Sequence, residues 1–188
     1  MPERQRLPDN SAEAANDAQH IPRWYACYTR ARHEKRVAGT LEVHGVESFL
    51  PLVQRESQWK DRKKLVSFPL FPSYVFGRFA LSEIHRVLSI PGVSTIVRVK
   101  GQPVPIRDED IANVRKFAIA LANTEEAVES VPYFEEGERV EVTEGPFAGV
   151  HGFVVERRSR KRVLVGLEAI GRGMEIDIDT RLLKAVLR

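Results

Sequence analysis

The sequence predicts an α+β protein: an N-terminal antiparallel sheet with flanking helices, followed by a small barrel of about five strands. Three observations carry this. Between residues 22 and 122, short apolar runs alternate with stretches of helical period in the order β-α-β-β-α-β-α, the pattern of one α+β domain. From 123 to 132 the chain turns acidic and loses its apolar period, which reads as a linker. After it, from 133 to 188, short alternating stretches are punctuated by turn signals about every ten residues. Glycines 145, 149, 152, 166, 171 and 173 oppose a helix there, at a cost of roughly 1 kcal/mol each in a helix interior.

The elements follow in order. Residues 1–21 hold almost no large apolar side chains and read as a disordered tail. "RWYACYTR" is a strand of aromatic and small residues. In "RHEKRVAGTLEVHG", Val37 and Leu41 are four apart with Ala38 beside them, so the segment is an amphipathic helix ended by Gly45. "VESFLPLV" reads as one strand, with Pro51 suited to an edge or bulge. "QRESQWKDRKK" reads as a charged hairpin tip, and "LVSF" and "YVFGRF" as further strands. Leu81, Ile84 and Leu88 give a short helix with Ser82 as a possible cap, broken by "PGV". "VSTIVRV" is a strand. Asp108, Glu109 and Asp110 then open a longer helix, placed where the macrodipole favours negative charge, with Ile111, Val114, Ala118 and Leu121 as its inward stripe. In the last third, Val140 and Val142, and later Met174, Ile176 and Ile178, alternate with charged residues as half-buried strands do.

Composition excludes several classes. The apolar fraction of 43% is that of an ordinary globular protein, and nothing approaches the roughly 18 apolar residues of a membrane span. The polar N-terminus gives no secretion signal, so a cytoplasmic protein is expected. The single cysteine, Cys27, excludes an internal disulfide and a cysteine-based zinc cluster. The five histidines show no ligand spacing, and neither a phosphate loop nor a nucleophile motif appears. No cofactor, no metal and no enzyme activity are expected. Asp177 and Asp179 are paired carboxylates, but on the outer face of an alternating strand they read as solvated.

The net charge of +3 says little, but its distribution says more. Arg30, Arg32, Lys35 and Arg36 form one basic cluster. Lys60, Arg62, Lys63 and Lys64 form a second, and Arg157, Arg158, Arg160, Lys161 and Arg162 a third. Such clusters are solvated faces or hairpin tips on one reading and phosphate contacts on the other.

The strand Tyr74–Phe79 poses a question, because both of its faces are apolar. Tyr74, Phe76 and Arg78 share one face, and Val75, Gly77 and Phe79 the other. With Val75 and Phe79 assigned to the core, Tyr28, Tyr74 and Phe76 make an aromatic patch on the order of 500 Å², large for a soluble monomer. Two readings are open. Another element of the same chain covers the patch, or it docks the ridge of a partner helix.

"WYACYTRARHEKRV", "FLPL", "PLFPSYVFGRF" and "PGV" together resemble the N-terminal domain of the NusG family of transcription elongation factors. "FEEGERVEVTEGPFAGVHGFV" resembles that family's KOW domain, an SH3-like barrel. The resemblance implies a transcription elongation and antitermination factor that suppresses pausing. The clamp helices of the largest RNA polymerase subunit would contact Tyr28, Tyr74 and Phe76, with Phe71 and Pro72 nearby. "HRVL", including His85 and Arg86, would face the opposing gate loop. Arg30, Arg32, Lys35 and Arg36 would face upstream or non-template DNA. The KOW loop with Gly145, Phe147 and Gly149 would recruit the termination factor Rho or a small-subunit ribosomal protein; Phe147 is otherwise a lid on the barrel core. A monomer without membrane contact is expected. Ser73 stands where the family often has glycine, which resembles specialised paralogues of the RfaH, UpxY and LoaP kind. The alternative is a ribosome-associated or RNA-binding KOW protein without polymerase contact.

Overall fold

The aromatic segment "RWYACYT" forms strand β1 (Arg23–Thr29) near the middle of the first sheet. The computed structural model describes residues 19–59, 62–124, 128–132, 137–157 and 160–186. Nearly all of the expected tail, Lys60 at the hairpin tip, Glu125 and Glu126 of the acidic segment, and Arg158 of the third basic cluster lie outside them, as do the side chains of Arg62, Lys63, Lys64, Arg157, Arg160 and Lys161.

After β1 come α1 (Glu34–Val43), β2 (Glu47–Phe49), β3 (Leu52–Trp59), β4 (Arg62–Pro69), β5 (Tyr74–Phe79), α2 (Ile84–Leu88), β6 (Val93–Ile96), β7 (Arg98–Val99), β8 (Gln102–Pro103) and α3 (Asp108–Ala122). The first sheet has the order β2-β5-β1-β6 and is antiparallel throughout. The β1–β5 register sets Ala26 opposite Phe76 and Tyr28 opposite Tyr74.

Several sequence expectations change. "VSTIVRV" is not one strand: Val93–Ile96 joins the first sheet as β6, and Arg98–Val99 pairs with β8 in a separate two-stranded sheet. "VESFLPLV" is two strands in two sheets, because the chain turns at Pro51, whose carbonyl accepts the Leu70 N–H at 2.8 Å. The charged stretch expected as a loop tip is mostly strand: β3 and β4 form a two-stranded hairpin with eight opposed pairs. Ser82 does not cap its helix. The carboxylate of Glu83 accepts the Ala80 N–H instead, at 3.3 Å.

Alternation in β1 and β5 sorts their side chains to two faces. One face joins Tyr25, Cys27, Val75 and Phe79 to Val37 and Leu41 of α1 and Val87 of α2 in one buried cluster. The other joins Trp24, Ala26 and Phe76 to Ile111, Val114 and Phe117 of α3. The sheet is therefore covered on both faces by helices of its own chain. At Gly77 an added Cβ would meet the Phe79 ring at 3.4 Å and a Val46 methyl at 3.6 Å. That is ordinary van der Waals contact with Phe79 of the same strand and with Val46 just before β2.

The second module is all β: β9 (Val128–Pro132), β10 (Arg139–Val142), β11 (His151–Arg157), β12 (Arg160–Leu167), β13 (Arg172–Asp177) and β14 (Leu183–Ala185). Their order is β14-β10-β11-β12-β13-β9, antiparallel throughout. Five of the six strands match the expected number. The sixth, β9, comes from the stretch read as linker and pairs with the edge of β13. Val140, Val142, Val163, Val165, Met174 and Ile176 build the core. At Gly152 a Cβ would lie 2.5 Å from the Leu164 carbonyl oxygen and from a Val163 methyl carbon, so only glycine lets β11 and β12 approach this closely. Glu175, expected on the outer face of its strand, is buried and lies 3.7 Å from the Arg162 guanidinium.

Candidate functional site

Tyr28 and Tyr74 sit directly opposite each other on β1 and β5, with ring centroids 5.4 Å apart and planes tilted by 66°. Tyr28 is 43% exposed and Tyr74 half-buried. Edge-to-face contact of this kind is a favoured geometry for aromatic quadrupoles. Phe76 is two residues further along the same face, but it is 0% exposed, 6.0 Å from the Phe49 ring and 6.2 Å from the Phe71 ring. Phe71 is buried as well. The aromatic face expected to be open is thus divided. Its Phe76 and Phe71 portion belongs to the core shared with α3, and only the Tyr28–Tyr74 end reaches solvent, with exposed Pro72 beside it in sequence.

The turn that delivers Tyr74 is unusual. Ser73 has φ +66°, a left-handed conformation that costs a residue with a Cβ roughly 1–2 kcal/mol. Its N–H donates to Glu34 Oε1 at 2.8 Å, and its carbonyl accepts the Thr29 N–H at 2.8 Å. The Tyr74 N–H donates to the Phe71 carbonyl at 3.2 Å. Neither Glu34 nor the left-handed state of Ser73 was foreseen from the sequence. The available signal was a carboxylate on the helix just before the apolar pair Val37 and Ala38.

Arg30, Arg32, Lys35 and Arg36 are all exposed, on the turn between β1 and α1 and on the helix's first residues. They begin two residues after Tyr28, so the tyrosine end and the basic cluster adjoin. His85 and Arg86 are exposed on α2, and Arg86 pairs with Glu83 at 3.1 Å. Cys27 is fully buried, and desolvation pushes its thiol up to about 12, which leaves no thiolate for chemistry at neutral pH.

The loop of the second module is also placed unexpectedly. Gly145 and Gly149 have φ +81° and +76°, as tight turns require. Phe147 between them is only 5% exposed, with its ring 5.6 Å from that of Phe117 on α3. Asn113, one helical turn before Phe117, donates through Nδ2 to the His151 carbonyl and accepts the His151 N–H, both at 2.7 Å. Lys116 Nζ donates to the Gly149 carbonyl at 3.3 Å. Phe147 is therefore neither a simple barrel lid nor an exposed tip; its ring packs on the first module. Asn113, Lys116 and Phe117 were not legible as contact residues, since a helix sequence does not announce a second packing partner.

Residues 22–115 match the family described as transcription termination factor nusG. The chain is 30% identical over 168 residues to the transcription termination/antitermination protein NusG of Campylobacter jejuni, covering 83% of this chain and 93% of that protein. It is 29% identical to the Helicobacter pylori protein of the same name, covering 82% and 93%. A solved structure concerning domain interaction in Thermotoga maritima NusG is 25% identical, with a TM-score of 0.48, covering 90% of this chain and 99% of that one.

Proposed function

The chain belongs to the NusG family of transcription termination and antitermination factors, and from that premise we propose that it docks on RNA polymerase through the Tyr28–Tyr74 end of its first sheet. One observation carries the reading: an aromatic pair, Tyr28 exposed and Tyr74 half-buried, adjoins four exposed basic side chains at the same end of the sheet. Such a surface suits a partner made of protein helices lying beside nucleic acid. The aromatic pair supplies apolar contact with hydroxyls at the rim. Arg30, Arg32, Lys35 and Arg36 supply backbone phosphate contacts to upstream or non-template DNA, largely independent of sequence.

In this reading the clamp helices of the largest subunit meet Tyr28, Tyr74 and Pro72. Phe71 and Phe76 support the surface from beneath. His85 and Arg86 face the opposing gate loop. Binding the closed clamp better than the open one shifts the polymerase away from pausing. The first module spans 22–122 and the second 133–188, with β9 tying the intervening stretch to the second sheet. Rho or a small-subunit ribosomal protein binds the loop around Phe147, which requires that loop to leave α3. Ser73 in a left-handed turn, where the resembled family often has glycine, is in keeping with a specialised paralogue.

The burial of Phe76 and Phe71 shrinks the docking patch, and this favours the second reading: an RNA-binding or ribosome-associated protein without polymerase contact. One experiment separates the two. Purified RNA polymerase core is used to retain wild type and the Tyr28→Ala, Tyr74→Ala double variant. Loss of two rim aromatics of a docking site is expected to weaken retention by about thirtyfold, the equivalent of about 2 kcal/mol. Equal retention of both proteins refutes polymerase docking through this face.

A further inference from the structure

We propose that Glu34 is a positioning residue for the docking surface: its carboxylate holds the Phe71–Tyr74 turn and so sets how Tyr74 is presented beside Tyr28. The inference rests on the docking reading above and names a residue through which that site is built.

Glu34 is the one carboxylate of the first module that is buried among the described residues. Burying a carboxylate is unfavourable unless its oxygens are hydrogen-bonded. Here the acceptor serves a residue 39 positions away in sequence, the amide of Ser73. A bond from an amide to a charged acceptor is stronger than a neutral one. It falls on the one residue of the turn whose backbone is left-handed. Ser73 is thereby held from two sides, its carbonyl by the Thr29 N–H of the neighbouring strand and its N–H by the first residue of α1. Tyr74 follows immediately, and its ring reaches the Tyr28 ring one residue before Thr29. The same short stretch, Tyr28 to Arg36, therefore holds one docking tyrosine, the clamp on the other, and the basic cluster.

Without the carboxylate, the Ser73 amide loses its acceptor in a part-buried place, and the left-handed conformation is held by Thr29 alone. The turn then relaxes toward the backbone that serine prefers, and Tyr74 moves off its partner ring. Glycine at position 73 adopts the left-handed state without penalty and removes the need for the clamp.

The test uses the full chain and purified RNA polymerase core, with affinity measured by fluorescence titration and folding by thermal melts. Glu34→Ala is expected to bind at least about tenfold more weakly while still folded at the assay temperature. Glu34→Gln keeps an acceptor oxygen and is expected to bind within about threefold of wild type. Glu34→Ala combined with Ser73→Gly is expected to return most of the affinity. If Glu34→Ala does not fold, Glu34→Asp replaces it: the charge stays, the oxygen is withdrawn by one methylene, and the same loss is expected. Wild-type affinity in Glu34→Ala or Glu34→Asp, alongside weak binding by the Tyr28→Ala, Tyr74→Ala protein, overturns the positioning role and leaves the docking surface standing. Wild-type affinity in the double tyrosine variant removes the docking reading and the role of Glu34 with it. Glu34→Gln as weak as Glu34→Ala, or no recovery with Ser73→Gly, shows that the residue acts through charge and not through the turn, and also overturns the proposal.

Discussion

Two aromatic residues on one strand face have different fates. Tyr74 and Phe76 are two apart on β5, so alternation puts them together, yet one is at the rim and the other fully buried. The difference is the core around them: Phe76 packs on the Phe49 and Phe71 rings inside the cluster that α3 also joins, whereas Tyr74 sits at the margin of that cluster and Tyr28 lies outside it. Phe76→Ala therefore belongs to stability. Removing a buried phenylalanine ring is expected to cost about 3–5 kcal/mol, seen as a lower urea midpoint with an unchanged slope. A Phe76→Ala protein that keeps its urea midpoint counts against this burial. The contrast with the tyrosine pair is useful, because the rim variants are expected to lose partner binding and leave the midpoint nearly unmoved.

At the level of elements, the turn from β1 into α1 and the helix α3 do most to shape the candidate site. The turn exposes Arg30 and Arg32, and the helix start exposes Lys35 and Arg36. Arg32 itself is left-handed, with φ +64°, which aims the chain sharply into the helix. If these side chains meet phosphates, Arg32→Ala with Arg36→Ala removes two counterion-releasing contacts. The slope of log affinity against log salt for the elongation complex is then expected to fall by about 2. An unchanged slope speaks against phosphate contact. The helix α3 has a wider buried side than its apolar spacing suggested: Phe117 and Ala120 join the foreseen Ile111, Val114, Ala118 and Leu121. It is wide because the helix lies between two layers, the first sheet and the second module.

For the whole molecule, the two modules share a single buried cluster that passes through α3. Polar bonds reinforce it. Asn113 pairs with both backbone groups of His151, much as a neighbouring strand pairs with an edge residue. Asn113→Ala leaves those two groups without the partner and is expected to weaken the module contact by about 1–3 kcal/mol. Faster hydrogen exchange at the His151 amide, with the exchange of β1 and β5 amides unchanged, is the expected signature. Unaltered exchange at His151 sinks the idea that Asn113 holds the modules together. The same contact covers Phe147, so a partner that grips this ring competes with α3 for it.

Chain periodicity by itself determined a great deal here. The two-residue period of β1 and β5, the spacing of Val37 and Leu41, the acidic start of α3, and the glycine-punctuated alternation after residue 137 were enough for the α+β module, the second all-β module and their order. These signals are local, so one sequence carries them. Tertiary structure alone decided what covers each apolar face. Alternation says that Phe76 and Tyr74 point the same way, but not where a helix 30 residues later will end. Nor does a polar asparagine in a helix, or a serine before a tyrosine, declare the distant backbone group it will meet. The Glu34–Ser73 clamp and the Phe117–Phe147 contact both join residues at least 30 apart, and only the packed chain brings them within bonding distance.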